Sequence, residues 1–197
     1  MTEKETDQRN KIILVGGSST GKTSILNRFS YGKFDETIKP TINFDVFHEK
    51  VTLKDETTHD IFIWDTCGTD LTKSIAPSYY RDAVCAIITF SVNNKESFDE
   101  LEYWTGIVKV NAHPTIPIVI CATKTDCECL VPIEQGEKYA RDNGYPFITC
   151  CSKTGENVRE LFELAMECVL KSDYCALKKV TYVDISKEKE DGCCVLV

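Results

Sequence analysis

The 197-residue sequence predicts an α/β domain built on a mostly parallel sheet, and three observations carry that expectation. Val84–Val92 is an apolar run without alternation, the pattern of a strand covered on both faces. Strand-like runs alternate with helix-compatible stretches along the chain. The first strand also breaks at Gly16-Gly17 directly before a helical segment.

The elements follow in order. Lys11–Val15 (Lys-Ile-Ile-Leu-Val) reads as the first strand, and Thr23–Phe29 as the first helix. Phe44–Leu53 and His59–Trp64 alternate like two strands about the polar turn Lys54-Asp55-Glu56, so a hairpin is expected there. Asn93 with Glu96 has capping-box spacing and predicts one helix running to about Ala112; Asn157 with Glu160 predicts another over Val158–Leu170. Between them lie a strand at Ile116–Ala122, a helix entered with Pro132 in its first turn, and a short strand at Phe147–Cys150. The sum is about six strands, of which only the hairpin strand is antiparallel.

Composition narrows the function. With 42% hydrophobic and 27% charged residues the chain should fold as one domain with a tail. A net charge of −8 argues against nonspecific attraction to nucleic acid or to an anionic membrane. No signal peptide and no run of 18 apolar residues is visible, so the 11 cysteines are expected as thiols in a cytosolic setting. Cys85, Cys121, Cys150 and Cys168 fall on apolar segments and read as small core residues. Cys127-Glu128-Cys129 lacks the second ligand pair that a metal site needs.

Gly16-Gly17-Ser18-Ser19-Thr20-Gly21-Lys22-Thr23 fits G-x-x-x-x-G-K-[ST] between a strand and a helix. Glycines let backbone N–H groups converge on phosphate oxygens at a helix N-terminus; Lys22 reaches the terminal phosphates, and the Thr23 hydroxyl suits Mg²⁺. Ser18, Ser19, Thr20, Gly21, Lys22, Thr23 and Ser24 are therefore candidate nucleotide contacts. Asp65, in Asp65-Thr66-Cys67-Gly68 at the end of a strand, is placed to hold Mg²⁺. Thr123-Lys124-Thr125-Asp126 and Cys151-Ser152-Lys153 follow strand ends, where open α/β sheets bind ligands. A carboxylate at Asp126 would accept from both guanine N1–H and the exocyclic amine, a donor pair that adenine lacks.

With these motifs the chain resembles the Ras superfamily of small GTPases over about residues 10–171, and within it the Rab family. The Rab-like signs are Thr41-Ile42-Asn43-Phe44-Asp45, Ile61-Phe62-Ile63-Trp64-Asp65-Thr66, Ser78-Tyr79-Tyr80-Arg81-Asp82-Ala83 and the pair Cys193-Cys194. The resemblance implies a P-loop GTPase (Ras-like) fold with helices on both faces of the sheet, and a division into an extension (1–9), a GTPase domain (10–171) and a flexible tail (172–197). It implies GTP as substrate, GDP as product and Mg²⁺ as cofactor. Thr123, Lys124 and Asp126 take the base-binding roles, Phe34 the aromatic edge against guanine, and Cys151, Ser152 and Lys153 the second base loop. Thr41 and Gly68 resemble the two γ-phosphate sensors, Thr41 also joining Thr23 and Asp65 as a metal ligand. Lys22, Thr41, Gly68 and Thr69 form the expected catalytic set.

Departures from the family matter. Thr123 replaces the usual Asn, although Rho and Rac relatives also use Thr-Lys-x-Asp. Ala is usual at Cys67 and at Ser152. Thr69 stands where the family places a catalytic glutamine, with Asp70 in place of the following glutamate. A threonine is shorter and offers one hydroxyl to orient water, so intrinsic turnover is expected below the roughly 10⁻⁴ per second of Ras. A GTP-locked scaffold, acting as a binding module, is the alternative; a P-loop nucleotide kinase is disfavoured because no arginine-rich lid is evident.

The resemblance also implies partners: an exchange factor, a TBC-type activating protein supplying arginine and glutamine in trans, effectors, and a GDP-dissociation inhibitor or escort protein. Val46, Trp64 and Tyr79 resemble the apolar effector patch. Residues 171–197 carry five lysines against five acidic side chains, so the tail cannot anchor electrostatically. One lipid gives only marginal membrane binding, so prenylation of both Cys193 and Cys194 is favoured over Cys194 alone. A monomer is expected, cycling between the cytoplasm and the cytosolic face of an intracellular membrane in vesicle traffic.

Overall fold

A computed structural model of the chain describes residues 10–37, 41, 44–66 and 77–172. Strands β1 (Lys11–Val15), β2 (Asp45–Thr52), β3 (Thr58–Asp65), β4 (Ala83–Ser91), β5 (Ile118–Thr123) and β6 (Phe147–Cys150) form one sheet in the order β2-β3-β1-β4-β5-β6. β2 and β3 pair antiparallel, from Asp45 opposite Asp65 to Thr52 opposite Thr58; every other pairing is parallel. The α-helices among the described residues are α1 (Lys22–Tyr31), α2 (Lys95–Asp99), α3 (Leu101–Asn111), α4 (Ile133–Asp142) and α5 (Val158–Lys171).

Strand periodicity splits the core in two. On one face Ile12, Leu14, Cys85, Ile87 and Cys121 meet Ile25 and Leu26 of α1 and Leu161, Phe162 and Met166 of α5. On the other, Ile13, Val15, Ala86, Ile88, Phe90 and Ile120 meet Leu101, Trp104 and Val108 of α3 and Ala140 of α4. This two-sided burial is why β4 reads as an unbroken apolar run: all nine of its residues are buried. Lys11 is buried as well, its ammonium donating to Arg81 O at 2.9 Å and lying 3.8 Å from the Trp64 ring centroid.

Several local expectations are corrected. The cap of α2 is Asn94, whose side chain accepts from Ser97 N, whereas Asn93 Oδ1 accepts from the Ser91 hydroxyl at 2.6 Å. The single helix expected to Ala112 divides at Glu100. Asn157 makes no capping box: it sits at φ 55° with no side-chain cap bond, and its amide donates to Thr149 O at 3.0 Å. Pro132 is the N-cap of α4 rather than a first-turn residue. The strand expected from Ile116 starts at Ile118, because Ile116 N closes a turn onto His113 O.

Cys85, Cys121 and Cys150 are buried and Cys168 is half-buried, as core residues should be. Burial pushes the Cys85 thiol well up; at Cys121 the Cys150 side chain does most of this, with burial adding to it. Both remain thiols at neutral pH. No helix among the described residues is long and apolar enough to cross a membrane.

Candidate functional site

Parallel pairing brings the carboxyl ends of β1, β3, β4, β5 and β6 to one edge of the sheet, where the connecting loops surround a cleft of about 440 Å³. Its lining includes Ser18, Ser19, Gly21, Lys22, Thr23, Ser24, Phe34 and Thr41 at one end and Thr123, Lys124, Asp126, Ser152 and Lys153 at the other. Segments more than a hundred residues apart thus form one site.

The phosphate loop needs its first glycine. Gly16 sits at φ 144°, and a Cβ there would lie 2.4 Å from Thr89 O. Thr20 is fully buried beneath the loop, its hydroxyl 3.0 Å from Gly17 O and 2.7 Å from Thr89 Oγ1; it supports the cleft rather than lining it. Lys22 opens α1 and is 4% exposed, its ammonium donating to Gly16 O at 2.9 Å and Gly17 O at 2.8 Å.

Beside it three side chains meet through their oxygens. The Thr23 hydroxyl donates to Asp65 Oδ2 at 2.6 Å and lies 2.7 Å from Thr41 Oγ1. Asp65 is fully buried at the end of β3, and its other oxygen, Oδ1, has no hydrogen-bond partner among the described residues. Burial pushes the Asp65 carboxyl above its usual range, with the Thr23 bond and the Lys22 charge pulling it back. Hard oxygens around a buried carboxylate atom still lacking a partner fit Mg²⁺ by donor type. No group of three or more His, Cys, Asp or Glu that could hold a metal is found among the described residues.

At the other end the loops are tied by bonds that the sequence hid. The Thr123 hydroxyl lies 2.6 Å from Thr20 O and 3.0 Å from Phe90 O, joining the end of β5 to the loop before α1 and to β4. Asp126 Oδ1 accepts from the thiol of Cys151 at 3.2 Å, and Thr154 N donates to that sulfur at 3.4 Å. Cys151 is buried behind the carboxylate and supports it from outside the cleft lining. Arg28 of α1 donates from Nε to Ser152 O at 2.6 Å and from a terminal nitrogen to Lys153 O at 2.5 Å, stapling the loop after β6 to the first helix. Lys153 also pairs with Glu36 at 2.7 Å across the mouth.

Asp35, Glu36, Asn93 and Cys127 line the cleft without a motif that assigns them to it, and Thr66 of the Asp65-Thr66-Cys67-Gly68 segment lines it as well. Arg28 was missed for the same reason, since its partners are carbonyls 124 and 125 residues away. Gly68, Thr69, Cys193 and Cys194 lie outside the described residues. Of the expected apolar patch, Val46 is 47% exposed and Trp64 half-buried, but Tyr79 is 4% exposed, its hydroxyl donating to Trp64 O at 2.8 Å. Phe44, which is 59% exposed and stacks on Trp64 at 5.6 Å, presents the larger apolar surface.

Comparison with known proteins agrees with this geometry. The model of the Ras family matches residues 11–171. The chain is 37% identical over 176 residues to the Ras-related protein Rab-5B of Plasmodium falciparum (isolate 3D7), covering 89% of this chain and 83% of that protein. A six-stranded sheet with one antiparallel strand, a phosphate loop at the end of β1 and these two matches together make the chain a Rab-like member of the Ras superfamily of small GTPases.

Proposed function

We propose that this chain is a guanine-nucleotide switch that hydrolyses GTP slowly and, in its GTP form, recruits effectors to an intracellular membrane. The observation that carries this reading is one cleft with a lysine-bearing phosphate loop at one end and the Asp126 carboxylate at the other.

Asp126 selects guanine by accepting its paired N–H donors, and the Cys151 thiol fixes the carboxylate while it does so. Lys124 and Phe34 border the base, and Ser152 and Lys153 close its far side on the loop that Arg28 holds. Lys22, anchored by the Gly16 and Gly17 carbonyls, places its charge where the terminal phosphates lie. Thr23, Thr41 and Asp65 would hold Mg²⁺, which when bound neutralises phosphate charge. Thr41 and Gly68 are the two residues that register the γ-phosphate, so its loss releases both segments and ends effector binding.

Hydrolysis is in-line attack by water, to which the protein contributes orientation and charge rather than covalent chemistry. Thr69 cannot span water and phosphate as a glutamine does, so the unaided rate is low and a TBC-type activating protein ends the signal. Val46, Phe44 and Trp64 form the effector-facing surface over the hairpin. Exchange factors, a GDP-dissociation inhibitor or escort protein, and prenyl groups on Cys193 and Cys194 complete the cycle as this reading has it.

Single-turnover hydrolysis of the GTP-loaded protein beside Thr69→Gln tests the proposal. The variant should be faster, and equal rates would remove Thr69 from the account. Thr69 also supports a second reading, a GTP-locked scaffold; retention of bound GTP in the presence of a TBC-type activator would favour it.

A further inference from the structure

Glu100 occupies the junction where α2 gives way to α3, at φ −79° and ψ −5°. Its side chain is fixed from its own helix: Trp104, which is 3% exposed, donates its indole N–H to Glu100 Oε2 at 3.2 Å. The same oxygen presses on the phosphate loop, for a Cβ added to Gly17 would lie 2.6 Å from it. Gly17 does not need glycine for its backbone, since its φ is not in the left-handed region. The missing Cβ serves the close approach of the carboxylate. Gly17 O is in turn one of the two carbonyls that anchor the Lys22 ammonium. A fixed negative charge therefore sits beside the peptide that holds the phosphate-binding cation.

From this we infer that Glu100 is a discriminating charge of the nucleotide site, one that opposes the terminal phosphate and lowers the preference for triphosphate over diphosphate. The inference rests on the reading of the cleft as a guanine-nucleotide site. Repulsion acts more strongly on the triphosphate because it brings one more charged group to Lys22, while attraction to Lys22 favours the cleft without nucleotide. Screened repulsion between unit charges across the loop should change the preference by about threefold or more.

The test uses the full chain loaded with fluorescent GDP or a fluorescent non-hydrolysable GTP analogue, and compares it with Glu100→Gln. Glutamine keeps an oxygen for Trp104 and removes only the charge. Release of the triphosphate analogue should slow about threefold or more, release of GDP should slow less, and the difference should shrink between about 50 mM and about 500 mM salt. Gly17→Ala should drive the carboxylate away and shift the triphosphate-to-diphosphate ratio the same way, adding nothing further in the Glu100→Gln background. Unchanged rates in Glu100→Gln, or equal slowing of both nucleotides without salt dependence, would overturn the role of Glu100. A chain that takes up neither nucleotide would overturn the reading of the cleft, and this inference with it.

Discussion

Replacing Thr123 by valine removes one hydroxyl and almost no volume, so it isolates the bond between the base loop and the phosphate loop. In the native chain that hydroxyl is buried, 2.6 Å from Thr20 O and 3.0 Å from Phe90 O. Valine leaves the Thr20 carbonyl facing a methyl group, and stranding a buried acceptor costs about 1–3 kcal/mol. Taking about 2 kcal/mol, the melting temperature of a domain of this size should fall roughly 4–8 °C. If the strain falls on the liganded arrangement, the same energy weakens nucleotide binding about 30-fold. Differential scanning fluorimetry with and without GDP, together with the release rate of fluorescent GDP, reads both effects. Thr123→Asn, which restores a longer hydrogen-bonding side chain, should lose much less. A Thr123→Val protein with unchanged melting temperature and unchanged GDP release would refute the claim that this hydroxyl couples the two loops.

Two further substitutions probe the rest of the scaffold. Arg28→Ala removes both bonds to the Ser152 and Lys153 carbonyls and should speed release of GDP and of a GTP analogue about equally, by roughly tenfold, as measured by fluorescent nucleotide dissociation. Gly136→Ala places a Cβ 2.5 Å from Phe90 Cζ and 3.0 Å from the Phe147 ring; overpacking of about 1–3 kcal/mol outweighs the gain of about 1 kcal/mol in helix propensity, so thermal unfolding should move down by a few degrees.

The sequence was most legible where burial is two-sided or where a motif constrains chemistry. β1 and β4 could be read because their residues satisfy both faces of a sheet, and the hairpin because β2 and β3 alternate around a polar turn. The phosphate loop could be placed because a strand, four spacer residues and a lysine at a helix start leave little freedom. Illegible features depend on partners that no local pattern names. Neighbouring Asn93 and Asn94 both offer a cap, and only the Ser91 hydroxyl, which takes Asn93, decides between them. Asn157 carries a capping-box pattern but is drawn to Thr149 O instead. Arg28, the bond from the Cys151 thiol to Asp126 and the approach of Glu100 to Gly17 belong to no local pattern, because each acts on a loop brought close only by the parallel crossovers.

The central claim is that Asp126 and the phosphate loop together make this cleft a guanine-nucleotide site. Competition of unlabelled GDP and ADP against fluorescent GDP, with Mg²⁺ present, tests it most directly. Displacement by GDP at stoichiometric amounts, with ADP ineffective at a thousandfold excess or so, is the expected result. Equal displacement by the two nucleotides would contradict the account.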